Sequence, residues 1–315
     1  MQFNENTKIL IVGLGLMGGS YADALSSQGY TVGAIDTNAE SIKYALEHKI
    51  IASGKSENDG EYISGFDLII FAVYPHVILN WIEENQKYIK KGTLLTDVTG
   101  VKSCFIYDLQ KILSDDLEFI GAHPMAGRES SGVQNATKDI FKNANYIITP
   151  TEKNSQQAIE ICRQLGSVIG SKTISELTPE AHDEMIGFLS QLTHCIAVSL
   201  MTCRDSESFT KYTGDSFRDL TRIAKINDEM WSELFLLNQK ELLSQMDHFG
   251  RQFKKLYKLI KRRNKEEITM DEIDEASDRV LMGAAKTSRK VTEYEKKIVA
   301  YHEAGHAVSG IILPN

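Results

Sequence analysis

Cysteine is scarce in this chain. Four thiols (Cys104, Cys162, Cys195 and Cys203) stand in 315 residues, with no C-x-x-C spacing among them. That pattern excludes a disulfide framework and a cysteine-based zinc site, and it reads as reduced thiols in a cytoplasmic protein. Long apolar runs are also lacking, so no bilayer-spanning segment and no membrane partner are expected. The opening Met1-Gln-Phe-Asn-Glu-Asn6 has neither the basic nor the apolar region of a secretion signal. Positive charge is in deficit: 35 Lys and Arg face 43 Asp and Glu, a formal net charge of −8. This argues against a nucleic-acid partner and for solubility. No internal repeat and no Gly/Ser linker is visible. The length and a hydrophobic content of 42% leave room for two domains with a sizeable core.

What is present begins at Lys8. An apolar strand, Ile9 to Val12, runs into Gly13-Leu-Gly15-Leu16-Met17-Gly18 and then into a helical pattern. This is a G-x-G-x-x-G string in the context it requires, strand before and helix after. Gly13 permits the tight turn, Gly15 lets the backbone approach a pyrophosphate, and Gly18 allows close helix–strand packing. The diphosphate then meets free N–H groups at the positive end of the helix. A second strand, Thr31-Val-Gly-Ala-Ile-Asp36, ends in an acid about 20 residues on, where ribose hydroxyls lie. Asp36 favours NAD over NADP, because its carboxylate repels a 2′-phosphate. The expected cofactor contacts are Gly13, Gly15, Leu16, Met17, Gly18, Asp36 and, at the end of a later strand, Val73.

The first half alternates apolar strands with amphipathic helices. Strands are expected at 67–73, 93–97, 118–122, 145–149 and 172–176, with helices near 39–48 and 77–88. Continuous apolar strands alternating with helices imply a parallel sheet covered on both faces. The fold expected is thus α/β, with a doubly wound Rossmann-type domain over 1–177. From Pro179 to about Lys261 there is no convincing strand. Met185, Phe188, Leu189, Leu192 and Ile196 recur at helical spacing, as do Leu234, Leu237, Leu242 and Met246. An all-helical second domain is expected over 178–263, its leading helix capped by Thr178 with Pro179 in the first turn. Its long apolar helices suggest burial against a partner subunit, a homodimer. Residues 264–315 form a third segment, an appended helical tail opened by the charge run 261–267.

Three clusters carry possible chemistry. Gly121-Ala-His123-Pro-Met-Ala-Gly-Arg128-Glu129-Ser-Ser-Gly132 places a histidine at the carboxyl end of a strand, where open α/β sheets put ligands. His194 lies on the helix that begins Pro179-Glu-Ala-His-Asp183. Phe217-Arg-Asp219-Leu-Thr-Arg222 leads on to Trp231 nine residues later. Each has a plainer reading: a strand-end histidine, a satisfied core histidine, an intersubunit ion pair, a core tryptophan.

Together the clusters resemble the prephenate/arogenate dehydrogenase family of tyrosine biosynthesis, over roughly residues 6–260. The family's reaction is oxidative decarboxylation: a ring carbon bearing a hydroxyl gives hydride to NAD⁺, carbon dioxide leaves, and the ring becomes aromatic. By this resemblance His123 is the base that takes the hydroxyl proton, a task suited to a neutral imidazole. Arg222 is the planar clamp for a substrate carboxylate. His194 binds substrate, and Glu129 and Trp231 line the pocket. Asp183 and Asp219 match acids that orient the cleft and Arg222. The implied substrate is prephenate, giving 4-hydroxyphenylpyruvate; arogenate, giving tyrosine directly, is the alternative. Outside enzymes, a nucleotide-binding protein that kept the fold and lost the chemistry is the other reading. A β-hydroxyacid dehydrogenase shares the Gly-Leu-Gly-x-Met-Gly opening, but its glycine-rich catalytic lysine string has no counterpart near 179–200.

The chain departs from the family pattern twice. The family usually has a Gly-Ser pair after the fifth strand; here the string is Asp97-Val-Thr99-Gly100-Val-Lys102, so the hydroxyl sits one place earlier. Thr99 is carried as a substrate contact on that basis. The first of two family helix histidines is Gln191 here. Arg128 beside Glu129 could suit a keto acid over an amino acid.

The tail contains His302-Glu-Ala-Gly-His306, an H-E-x-x-H string that on a helix turns two imidazoles to one face. From about Ile268 the segment resembles the FtsH-type AAA zinc protease family. The string ends nine residues before Asn315, with no third ligand or ATPase module in the sequence given. Two histidines alone make a poor site, since catalytic zinc usually has three protein ligands. No metal is therefore expected, and the tail is expected to pack weakly. Nothing resembles an ACT-type regulatory domain. Deleting 268–315 is expected to leave dehydrogenase turnover unchanged in an NADH-formation assay; loss of folding would overturn this reading of the tail.

Overall fold

Strand β1 (Lys8–Val12) sends alternate side chains to opposite faces: Ile9 and Ile11 join one apolar cluster, Leu10 and Val12 the other. The computed structural model describes residues 3–128, 130–204 and 211–262. The chain divides into two compact units, Met1–Phe249 and Gly250–Asn315. In the first unit β1 is followed by α1 (Leu16–Ser27), β2 (Thr31–Ile35), α2 (Ala39–Glu47), β3 (Ser53–Lys55), α3 (Gly60–Ile63), β4 (Leu68–Phe71) and α4 (Pro75–Asn85). Then come β5 (Leu94–Asp97), α5 (Ile106–Ile112), β6 (Glu118–Pro124), β7 (Asn145–Thr149), α6 (Gln156–Val168) and β8 (Thr173–Glu176). The eight strands lie in the order β3-β2-β1-β4-β5-β6-β7-β8. Helices α1, α2 and α6 cover one face of the sheet, and α4 and α5 the other. Each fully buried Ile or Phe of these clusters contributes about 1.5–3 kcal/mol by leaving water. The doubly wound architecture is the one expected.

The sheet is not wholly parallel, which corrects one expectation. β7 runs antiparallel to β6, pairing Gly121 with Thr149 and Pro124 with Tyr146. The connection between them never crosses the length of the sheet. It leaves β6 at its carboxyl end and packs on α1, where Ser20 Oγ accepts from Thr137 N and Asp23 accepts from Lys138 N. It then returns from the same end. Strand β3 was not anticipated either; its Ser-Gly-Lys sequence carries no apolar signal.

The helical part opens with α7 (Pro179–Ile186). Thr178 caps it by accepting from Ala181 N, with Pro179 in the first turn, as expected. A π-helical turn (Gly187–Leu192) carries α7 without a break into α8 (Thr193–Thr202). This 24-residue run, Pro179–Thr202, is long and apolar enough to cross a membrane by length and composition alone, contrary to the sequence expectation. Three of its polar residues, His182, Asp183 and Gln191, are buried and hydrogen-bonded to other elements, so one side of the run packs within the protein while Phe188 and Leu189 stay exposed. After it come α9 (Asp215–Thr221), α10 (Asp228–Leu237) and α11 (Gln239–Arg262). The tail histidines His302 and His306 lie outside the described residues.

One buried ion pair fastens the sheet where it matters for the site. Lys102 and Asp97 are both fully buried and directly bonded. The backbone ladder between β5 and β6 stops at Thr96–Ile120. Beyond it the two side chains take over: Asp97 Oδ1 accepts from Ala122 N at 3.1 Å, and Lys102 Nζ donates to Ala122 O at 2.7 Å. Burial lowers the pKa of Lys102, and the facing Asp97 carboxylate opposes that shift. Removing one partner of such a pair leaves an uncompensated buried charge. Lys102→Met is therefore expected to cost about 3–5 kcal/mol in urea denaturation, with part of the loss recovered by adding Asp97→Asn. An unchanged urea midpoint for Lys102→Met would show that the pair is not what holds β6.

Candidate active site

The glycine string forms a cradle that fits a dinucleotide. Gly13 has φ +95°, and a Cβ there would lie 2.6 Å from the Ala72 carbonyl oxygen and 2.7 Å from Val73 Cγ1. Val73 thus sits against the turn. At Gly18 a Cβ would come within 1.8 Å of the Gly13 carbonyl oxygen, so only glycine lets α1 pack on β1. At Gly15 a Cβ would meet nothing within 4 Å, which leaves open space at the start of α1. No side chain caps that helix, so its first N–H groups remain available to an anion. Leu16 and Met17 open the helix, half-buried. Asp36, just past β2, accepts from Leu14 N at 2.5 Å and from Asn38 N at 2.7 Å. Beside it a cleft of about 350 Å³ is lined by α2 residues including Ser41 and Tyr44, and by Val133 and Gln134.

His123 lies on β6, beside the residue that the Asp97–Lys102 pair grips. Its Nδ1 is 2.9 Å from Nε2 of His182, on α7. The Nδ1 of His182 is in turn 2.8 Å from Asp183 Oδ1. Asp183 also accepts from Lys102 N (2.9 Å), Ser103 N (2.8 Å) and Ser103 Oγ (2.5 Å). Burial disfavours its charge, but the hydrogen bonds from His182 and Ser103 outweigh that, and its pKa is lowered. Burial, with His182 and Lys102 adding to it, holds the His123 imidazole well below its ordinary pKa. Burial lowers His182 as well, against the pull of Asp183. The first histidine is half-buried and the second fully buried.

The helical side reaches the same place through α10. A Cβ on Gly100 would lie 3.7 Å from the Leu234 methyls and 3.9 Å from His123 Cε1. One turn before Leu234 is Trp231, whose ring stacks on His194 with centroids 3.8 Å apart. His194 Nδ1 is 2.8 Å from the Ser190 carbonyl oxygen. Arg222 opens a short 3₁₀ turn (Arg222–Ala224) that packs against α8, the helix of His194; the arginine itself is exposed. Asp219 is exposed on α9. The hydroxyl of Thr99 is buried within the ion-pair cluster, 2.5 Å from Asp97 Oδ2, 2.8 Å from the Val101 carbonyl oxygen and 3.2 Å from Lys102 Nζ. Those bonds occupy it, which tells against a substrate contact. Gln191 is a strut: its Nε2 donates to Leu234 O, and its Oε1 accepts from Asn238 Nδ2. Arg128 is exposed; Glu129 lies outside the described residues.

Sequence reasoning missed His182, Lys102, Asp97 and Ser103. The signals were present but weak. Asp97 and Lys102 bracket the loop after an apolar strand, and His182 immediately precedes Asp183 in the Pro-Glu-Ala-His-Asp string.

Comparison with known proteins agrees with this geometry. Residues 21–175 match the family model for the prephenate dehydrogenase nucleotide-binding domain, and 178–271 that for its dimerization domain. The chain is 31% identical over 271 residues to prephenate dehydrogenase of Bacillus subtilis, covering 82% of this chain and 72% of that protein. It is 28% identical over 256 residues to cyclohexadienyl dehydrogenase of Zymomonas mobilis, covering 79% and 86%. The crystal structure of prephenate dehydrogenase from A. aeolicus in complex with hydroxyphenyl propionate and NAD⁺ superposes with a TM-score of 0.79 at 28% identity, covering 87% of this chain and 97% of that one. A separate stretch of 57 residues is 58% identical to the ATP-dependent zinc metalloprotease FtsH of a Synechococcus strain, 18% of this chain but 9% of that protein. With both family models matched in order, the first over the histidine strand and the second over the helical half, the chain belongs to the prephenate dehydrogenase family.

Proposed function

We propose that this protein catalyses the oxidative decarboxylation of prephenate to 4-hydroxyphenylpyruvate, with NAD⁺ as hydride acceptor, in tyrosine biosynthesis. The observation that carries this reading is His123: an imidazole with a depressed pKa near the carboxyl end of β6, in the sheet whose β1 leads into the nucleotide cradle, with Gly100 lying close to both it and Leu234 of α10. Gly13, Gly15, Leu16, Met17, Gly18 and Val73 hold the cofactor, and Asp36 selects NAD by meeting ribose hydroxyls. Bound NAD⁺ supplies the acceptor for the hydride that leaves the hydroxyl-bearing ring carbon. His123 takes the hydroxyl proton at Nε2, which has no hydrogen-bond partner among the described residues. Trp231 and His194 wall the pocket. Arg222, exposed on the turn that packs against α8, is the site for a carboxylate, and Glu129 belongs to the substrate pocket by family position. Arogenate is the alternative substrate; it carries an amino group where prephenate carries a keto oxygen.

The three-part division into 1–177, 178–263 and 264–315 follows the same reading, with the two family models meeting between 175 and 178. A homodimer is supported by the dimerization-domain match and by apolar side chains left exposed on the helical part, Phe188 at 52%, Leu189 at 53% and Leu236 at 69%. The four cysteines are unpaired, as a reducing compartment keeps them, which supports a cytoplasmic location.

An NADH-formation assay offering prephenate and arogenate, each with NAD⁺ and NADP⁺, is expected to give turnover with prephenate and NAD⁺. No turnover with either substrate would leave a silent nucleotide-binding protein as the better account. His123→Asn is expected to lower kcat by about 10²- to 10⁴-fold while nucleotide still binds. The base works unprotonated, and burial, His182 and Lys102 all depress its pKa. Activity should therefore persist as pH falls through neutrality, and the acid limb of kcat/KM should have its midpoint below 6.5, the ordinary histidine value. A midpoint above that value would remove His123 as the base.

A further inference from the structure

We propose that His182, backed by Asp183, is a positioning residue that fixes the tautomer of His123 and so decides which nitrogen acts as base. The inference deepens the proposed function and rests on His123 taking the hydroxyl proton.

Hydrogen-bond bookkeeping along the chain of three residues leaves one solution. Asp183 accepts from two backbone N–H groups and from the Ser103 hydroxyl, all within 2.9 Å. An ionised carboxylate can only accept. The His182 Nδ1, 2.8 Å from Asp183 Oδ1, must therefore carry its proton. His182 is fully buried, with the Lys102 ammonium nearby, and is neutral. A neutral imidazole protonated at Nδ1 has a bare lone pair at Nε2. That lone pair faces His123 Nδ1 at 2.9 Å, so His123 must supply the hydrogen there. Neutral His123 is thus the Nδ1–H tautomer, and its lone pair is at Nε2.

The consequence is directional. When the substrate O–H bond breaks, the proton passes to His123 Nε2 as an N–H bond forms, and Nδ1 keeps its own proton. The Nδ1–H···Nε2 bond to His182 then becomes charge-assisted, and the Asp183 carboxylate lies next in line. This is the logic by which a carboxylate orients a catalytic imidazole, lengthened by one ring. The charged groups around the pair are Lys102, which disfavours an imidazolium, and Asp183 and Asp97, which favour it. Nothing in α7 alone marks His182 for this role; the 59-residue separation from His123 is closed only by the fold.

The test uses ¹⁵N-labelled full-length protein near neutral pH. Two-bond ¹H–¹⁵N correlations report the tautomer of each histidine, and His123 is identified as the ring missing from His123→Asn. The expected result is Nδ1 protonated and Nε2 bare. His182→Leu, which removes the acceptor, is expected to lower kcat about 10- to 100-fold with the prephenate KM unchanged, and to lose the tautomer preference. His182→Gln, whose amide oxygen can still accept from Nδ1–H, should retain more of kcat than the leucine variant. A wild-type His123 protonated at Nε2 would overturn the inference. So would a folded His182→Leu with undiminished kcat. Should the leucine variant fail to fold, the wild-type spectrum still decides. Should the wild type turn over neither prephenate nor arogenate, the proposed function fails, while the tautomer measurement judges this pairing separately.

Discussion

The site depends on a lysine and an aspartate placed where no water reaches them. A bare charge in that position would be costly, so each must find the other and must spend its remaining hydrogen bonds well. Asp97 and Lys102 do so by seizing the two backbone groups of Ala122. A β-strand past the end of its ladder is ordinarily free to splay. Here the β5 edge of β6 is held for one more residue by side chains, while the ladder to β7 continues on the other edge through His123, the next residue. The pair is therefore less a source of stability than a device that sets where the imidazole stands relative to the loop after β5.

The same loop fastens the helical half. Lys102 and Ser103 present successive N–H groups to the Asp183 carboxylate, and the carbonyl oxygen of Asp183 accepts from Asn238, which also bonds Gln191. Gln191 reaches Leu234 on α10. A continuous run of hydrogen bonds thus leads from β5 through α7 to the helix that carries Trp231. His76 adds a second tie from α4, its Nδ1 lying 2.8 Å from Glu233. The nucleotide cradle and the proposed substrate wall are consequently built on one scaffold. A disturbance at Asp183 would loosen both the orientation of His123 and the seat of α10.

How much of this was legible beforehand follows from the range of each interaction. The glycine string could be read because its demands are local: a positive φ at Gly13 and the absence of a Cβ at Gly18 are properties of six consecutive residues. The strands could be read because burial on both faces needs unbroken apolar runs. His123 stood out by its place at a strand end before proline. Lys102 did not, because a lysine in a loop is ordinarily solvated; only its company in three dimensions reveals that it is buried. His182 shared the helix start with an acid that drew attention first. The direction of β7 was hidden for another reason: an apolar strand has the same sequence signature whichever way it runs. The apolar run through Pro179–Thr202 was underestimated because polar residues punctuate it, and those residues turn out to be the ones with internal partners.

The exchange of hydroxyl between Gly100 and Thr99 then takes on a physical meaning. In the family pattern the hydroxyl sits at the second position, facing the reacting groups. At Gly100 a Cβ would meet Leu234 and His123 only at ordinary contact distance, so sterics do not forbid a serine there. The hydroxyl has instead moved to the first position, where it serves the buried pair, close to Asp97 and accepting from Lys102. His123 consequently has no side-chain hydroxyl beside it from this loop and is oriented from behind, through Nδ1. A ring held at that nitrogen by a fully buried partner needs no second anchor to keep Nε2 turned to the pocket. The substitution at Gly100 is tolerable for the chemistry because His182 already fixes the ring.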